Sequence, residues 1–172
     1  MGQKGWHERG YLPHYDGSEI NQHVVFNLHD AVAPGERSGD DVLDRGAGSA
    51  LLRDPRCARI VAGALLHHDN DRYALHAWCV MPNHVHVLVA TLPQHDLGAL
   101  VRTWKNFSAR RINFALARVG SVWAPDYFDR YMRDGTHYET TKRYIEMNPV
   151  TAGLCQTPEA WPFSSVGWRA ED

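Results

Sequence analysis

Two histidines one residue apart, His84 and His86, lie in the run HVHVLVA. Neutral imidazole is a common ligand for divalent metals. In an extended strand residues i and i+2 leave the same face, so the pair could chelate one ion while Val85 and Val87 turn to the other side. An HxH pair is weak evidence by itself in a chain with 11 histidines. Its setting adds weight, because the pair follows Pro82-Asn83 on an otherwise apolar strand, where burial favours valine over a polar ring. Farther along, in YIEMNPV, Tyr144 and Asn148 are four residues apart and so share one face of a helix. A phenol can serve as a nucleophile, and an amide oxygen is an acceptable hard ligand for Mg2+ or Mn2+. The competing assignment makes Tyr144 a core aromatic and Asn148 a helix-terminal residue before proline.

Alternating histidines on a strand occur in two classes of enzyme. Histidine-triad nucleotide hydrolases require a third histidine at the next alternate place, which here is Leu88. The histidine-hydrophobic-histidine (HUH) nucleases of single-stranded DNA instead need a tyrosine from elsewhere in the fold. The blocks MPNHVHVLV, VWAPDYFDRYMRD, YIEMNPVTAGL and WPFSS, in that order, resemble the REP-associated tyrosine transposases, relatives of the single-tyrosine insertion-sequence transposases, over roughly residues 73–168. Upstream, GYLPHYDGSEINQHVVFNL is more loosely similar to that family's opening strand. The resemblance implies that His84 and His86 hold the metal, that Tyr144 is the nucleophile and that Asn148 is the third ligand. It also implies cleavage and rejoining of single-stranded or hairpin DNA through a 5′-phosphotyrosine, with Mg2+ or Mn2+ as cofactor, in a monomer or homodimer. The segment between the first strand and Tyr73 is longer than in short members, a double glycine near the start is absent, and insertion-sequence relatives often carry glutamine where Asn148 stands. The alternative carried forward is a non-catalytic protein that keeps the fold to bind repeat DNA or regulate expression.

At 172 residues the chain is expected to form a single domain over 1–172, with a variable loop or insertion around 32–48 that is rich in Gly, Asp and Arg. The formal net charge is only -2, but the distribution is uneven: residues 1–100 sum to -4, residues 101–144 to +5 and residues 145–172 to -3. A confined basic zone is what a phosphate track requires. Its candidates for DNA binding are Lys105, Arg110 and Arg111, with Lys142 and Arg143 beside Tyr144. Trp104, together with Trp123, Tyr127 and Phe128, is a candidate to stack on unpaired bases. Cys57, Cys79 and Cys155 make no CxxC pair, which argues against a zinc knuckle or disulfide framework. No apolar run suggests a membrane span, and the opening MGQKGWHERGYLPHYDG lacks a secretory apolar stretch, so a cytoplasmic location is expected.

Positioning these groups requires particular elements. Gln22 to Leu28 reads as a first strand, and Ser49 to His67 as a helix interrupted or restarted at Pro55. Tyr73 to Val80 and His84 to Ala90 form a hairpin around Met81-Pro82-Asn83. A helix over Leu97 to Val119 ends at Gly120, a strand covers Tyr127 to Met132, and a capping box at Thr136 opens a helix that stops near Met147, before Pro149. The expected fold is α+β: a mainly antiparallel four- to five-stranded sheet flanked by helices, as in an HUH endonuclease or ferredoxin-like sandwich.

Overall fold

Strand β5 (His84–Thr91) is buried at every position, and the architecture explains why. In the computed structural model, which describes residues 5–8 and 13–170, it is an inner strand of a four-stranded antiparallel sheet. Its neighbours are β4 (Tyr73–Val80) and β3 (Asn21–Asn27), with β6 (Phe128–Tyr131) beyond β3, giving the order β4-β5-β3-β6. Helices α2 (Pro55–Leu66) and α3 (Leu97–Ala115) cover one face, where Val24, Phe26, Val85 and Val87 join Val61, Leu65, Leu100 and Trp104 in the main core. Helix α4 (Gly135–Thr151) covers the other, where Leu88, Ala77 and Cys79 pack with Ile145. The fully buried Ile145 side chain contributes about 1.5–3 kcal/mol to holding α4 in place. Cross-strand partners share a face, so the pairs Val25 with His86, Asn27 with His84 and His23 with Leu88 set both histidines on the α4 side.

The expected strands, hairpin and helices are present, with local differences that have physical causes. As expected, Pro55 restarts the helical segment: after a short 3-10 turn over Leu51–Arg53 it occupies the first turn of α2, where no N–H is needed, and Asp54 caps it by accepting from the Arg56 amide at 2.9 Å. The cap of α4 is Asp134, which accepts from the His137 amide at 2.7 Å, rather than Thr136. Helix α4 also runs through Pro149 to Thr151 instead of stopping near Met147. Pro149 has no N–H for the Ile145 carbonyl, but the next turn closes normally with Ala152 N–H donating to Asn148 O at 2.9 Å. Asn148 is therefore fully helical, one turn from Tyr144. A second hairpin, β1 (Gly5–Glu8) with β2 (Pro13–Asp16), was not foreseen; Trp6 and Tyr15 pack against Tyr131 at ring separations of 5.9 and 5.2 Å. Gly10 to Leu12 of the loosely similar opening block lie outside the described residues.

The segment around 32–48 is a closed loop carrying the one-turn helix α1 (Asp40–Leu43), whose Val42 and Leu43 are buried. Its ends are pinned because the Asp30 carboxylate accepts from Ser49 N at 2.8 Å and from Ser49 Oγ at 3.2 Å. Gly48, at φ +81°, permits that approach, since a Cβ there would stand 2.3 Å from the Asp30 carbonyl oxygen. Among the described residues no helix is long and apolar enough to cross a membrane.

Candidate metal and nucleophile site

The two strand histidines converge closely, with His84 Nε2 and His86 Nε2 3.1 Å apart. Proton positions follow from their neighbours. Asn83 Nδ2 donates to the Ala47 carbonyl at 3.2 Å, so Asn83 Oδ1 is the atom 2.7 Å from His84 Nδ1 and must accept its proton. His84 Nε2 is then a lone pair. His86 Nδ1 meets His23 Nε2 at 2.9 Å, which allows two arrangements. Either His86 carries its proton on Nε2 and donates to His84, or it carries it on Nδ1 and donates to His23. The second leaves two lone pairs facing each other, a geometry that calls for a cation. Two ligands at right angles about 2.1 Å from one ion are about 3 Å apart, so the observed separation fits. Burial pushes His84 down to about 3 and His86 well below its ordinary value, which keeps both rings neutral and able to ligate at neutral pH.

Helix α4 adds the other two predicted residues. The Tyr144 ring stands edge-on to His86 at 5.7 Å and to His23 at 6.3 Å. The residue is 36% exposed. Its hydroxyl donates to Asp40 Oδ2 at 2.6 Å, and burial together with the Asp40 carboxylate pushes the phenol above its ordinary value. Asn148 is 1% exposed, and neither amide atom has a hydrogen-bond partner. Asp44 Oδ1 lies 3.5 Å from His84 Nε2. The Asp44 carboxyl is pushed up to about 6, mainly by burial and then by the charge of Asp40, with the Asn148 amide near enough to oppose the shift without reaching hydrogen-bonding geometry.

Among the described residues no three side chains drawn from His, Cys, Asp and Glu form a metal-binding group by themselves. Asn148, the third ligand expected from the sequence, is a buried amide whose unpartnered oxygen has a cost of about 1–3 kcal/mol unless something pairs with it. Two neutral imidazoles and a dry amide, with a carboxylate at the margin, suit a divalent ion.

The proposed DNA contacts fare unequally. Trp104 must be corrected: it is 2% exposed, packs on Phe26 and Tyr73, and donates from Nε1 to Tyr73 Oη at 3.0 Å, so it offers no face to a base. Trp123 and Tyr127 are buried too, Tyr127 stacked on His14. Lys105 is turned inward, donating to the carbonyls of Ala124 at 2.6 Å and Asp126 at 3.1 Å, and burial pushes it down to about 8. Arg110 and Arg111 are exposed but belong to α3, across the sheet from Tyr144, with Arg111 over the Phe107 ring. Lys142 and Arg143 are on α4 next to the tyrosine. Phe128, 46% exposed, lines a groove of about 780 Å³ whose walls also include Val25, Asn27, His29 and Asp40.

Four residues of the site were not anticipated: His23, Asp40, Asp44 and Asn83. His23 carried a usable signal, a lone polar ring in the apolar strand QHVVFNL, by the same argument that drew attention to His84. Asn83 reads in the sequence only as a turn residue, and the two aspartates lie in a loop whose composition marks it as irregular.

A REP-associated tyrosine transposase of Escherichia coli is 29% identical over 103 residues, which span 59% of this chain and 60% of that protein. The ISDra2 transposase TnpA of Deinococcus radiodurans is 34% identical over 73 residues, 39% of this chain and 51% of that protein. The aligned regions thus span between half and two thirds of these curated relatives. The solved structure of a REP-associated tyrosine transposase bound to a REP hairpin shares the fold, with a TM-score of 0.61 and 21% identity across 95% of this chain and 93% of that one. The profile of the family described as transposase IS200-like matches residues 56–148, more than half of the sequence, and the chain belongs to that family.

Proposed function

We propose that this protein is a divalent-metal-dependent endonuclease and strand transferase of single-stranded DNA, acting beside hairpins through a 5′-phosphotyrosine at Tyr144. The observation that carries the reading is the meeting of the His84 and His86 Nε2 atoms at 3.1 Å under the edge of the Tyr144 ring. The names of the relatives, REP-associated tyrosine transposase and ISDra2 transposase, support the activity, and the relative bound to a REP hairpin supports a hairpin-flanked substrate.

His84, His86 and Asn148 would hold Mg2+ or Mn2+. When bound, such an ion neutralises a non-bridging phosphate oxygen and polarises phosphorus. Asn83 and His23 hold the two imidazoles in register. Tyr144 Oη forms a bond to phosphorus, and the bond from phosphorus to O3′ breaks with its electron pair leaving on O3′. A 3′-hydroxyl attacking the phosphotyrosine reverses the step, and since one ester replaces another the cycle needs no nucleotide cofactor. Lys142 and Arg143 would bind flanking phosphates, and Phe128 is placed to stack on a base in the adjoining groove. Tyr144 stands beside histidines of its own chain, which supports action in cis, so that a monomer suffices.

The test is covalent capture. Labelled single-stranded oligonucleotides with hairpins, drawn from the DNA flanking the gene, are incubated with protein and Mn2+ and run under denaturing conditions. A shifted protein-DNA adduct is expected, absent with chelator and absent in Tyr144→Phe. Hairpin binding without an adduct at any metal concentration would instead favour a repeat-binding protein, and an adduct surviving in Tyr144→Phe would remove that residue from its role.

A further inference from the structure

A tyrosine that attacks phosphorus must shed its proton, and the His86 imidazole beside its ring is not free to take it, since His86 uses both nitrogens, one toward His84 and one toward His23. The hydroxyl instead points to a carboxylate contributed by a segment 104 residues earlier, Asp40 Oδ2, at 2.6 Å. This is a direct, charge-assisted contact on the reacting atom itself. The segment is built to hold it. Val42 and Leu43 anchor α1, Asp44 N–H closes its turn on Asp40 O at 2.8 Å, and the loop is tied at its base by Asp30 to Ser49 and by Asn83 to Ala47. Asn83 also orients His84, so one side chain joins the loop carrying Asp40 to the metal-facing ring.

We propose that Asp40 is a catalytic residue of this protein, the general base that receives the Tyr144 proton as the phenol attacks and returns it when the phosphotyrosine is resolved. The inference rests on the reading of Tyr144 as nucleophile. In the forward step the Tyr144 O–H bond breaks with its proton passing to Asp40 Oδ2, and the Oη–P bond forms. The P–O3′ bond breaks, and O3′ takes a proton from water. In the reverse step the attacking 3′-hydroxyl gives its proton back to the hydroxide that water's protonation of O3′ left in solution, the O3′–P bond forms, the Oη–P bond breaks, and Asp40 protonates the departing phenolate. No oxidant or further reactant is involved. General-base assistance of this kind typically contributes about 10²–10⁴-fold.

The experiment measures single-turnover adduct formation with a hairpin-flanked oligonucleotide and Mn2+ for the wild type, Tyr144→Phe, Asp40→Asn and Asp40→Ala. Oligonucleotide affinity and thermal melting are measured in parallel. Asn can keep a hydrogen bond to the hydroxyl but cannot carry its proton away. Both Asp40 variants are expected to form adduct at least about 10²-fold more slowly with unchanged DNA affinity. Added formate is expected to speed Asp40→Ala, whose vacated space admits a small carboxylate, and not Asp40→Asn. Near wild-type rates in Asp40→Asn would reduce Asp40 to a positioning contact, and faster adduct formation in Asp40→Ala would make it a restraint; either result overturns the proposal. Should Asp40→Ala fail to melt cooperatively, the near-isosteric Asp40→Asn decides the matter alone. A wild-type protein forming no adduct overturns the transferase reading and this one together, whereas a normal adduct with an unaffected Asp40→Asn overturns only this one.

Discussion

Replacing Asn148 by leucine should make the metal-free protein more stable while destroying its response to metal. Asn and Leu have nearly the same branched shape, and Asn148 is 1% exposed with both amide atoms unpartnered. A buried unsatisfied polar group costs about 1–3 kcal/mol, and leucine removes the cost without opening a cavity. For a domain of this length each kcal/mol moves the midpoint by about 2–4 °C, so a rise of roughly 2–12 °C is expected in chelator. With Mn2+ that lead should shrink, and invert wherever it is below about 2.7 kcal/mol. An ion at one hundred times its dissociation constant stabilises the wild type by about 2.7 kcal/mol, and a variant lacking the third donor should gain little of this. Thermal melts followed by circular dichroism, with and without Mn2+, measure both halves. A metal-free Asn148→Leu protein that melts lower than the wild type would mean that the amide is a structural group. An undiminished Mn2+ shift would mean that the ion does not use it.

Other outcomes follow from the same structure. Trp104→Ala should cost about 3–5 kcal/mol in urea unfolding, because the indole fills the core between α2, α3 and the sheet; a variant that folds normally but loses DNA affinity would restore the base-stacking role denied above. Arg143→Gln should lessen the salt dependence of single-strand binding by about 0.7 in the log-log slope, and Arg110→Gln, across the sheet, should not; equal effects would place the DNA on both faces. The Asp44 carboxyl rises from an ordinary 3.8 to about 6 in the fold, so the stability its protonated form contributes is present below 3.8 and is lost as pH rises through about 6. In chelator, Asp44→Asn should accordingly gain on the wild type across that interval and hold a constant lead above it, and a difference between the two melting curves that does not vary with pH would refute burial as the cause.

Much of this site could be read from local spacing because its residues obey two short rules. Alternation along a strand puts His84 and His86 on one face, and one helical turn joins Tyr144 to Asn148; both rules depend only on backbone geometry within a few residues. The order of elements and the antiparallel sheet were legible for the same reason, since periodicity and turn residues are local properties. What spacing cannot supply is the pairing of distant segments. The His23 contact spans 63 residues and the Asp40 contact 104, and both exist only because the sheet register and the closed loop bring those segments to α4. Orientation was equally out of reach for the basic and aromatic stretch of α3: helical spacing puts Trp104 and Lys105 next to each other, but only packing against the sheet turns the indole into the core and ties the ammonium to the carbonyls of Ala124 and Asp126. The spacing of the candidate nucleophile and candidate ligands is thus written in short-range pattern, while the partners that orient the imidazoles and receive the phenol's hydrogen bond are selected by tertiary contact, because hydrogen bonds act over about 3 Å regardless of distance along the chain.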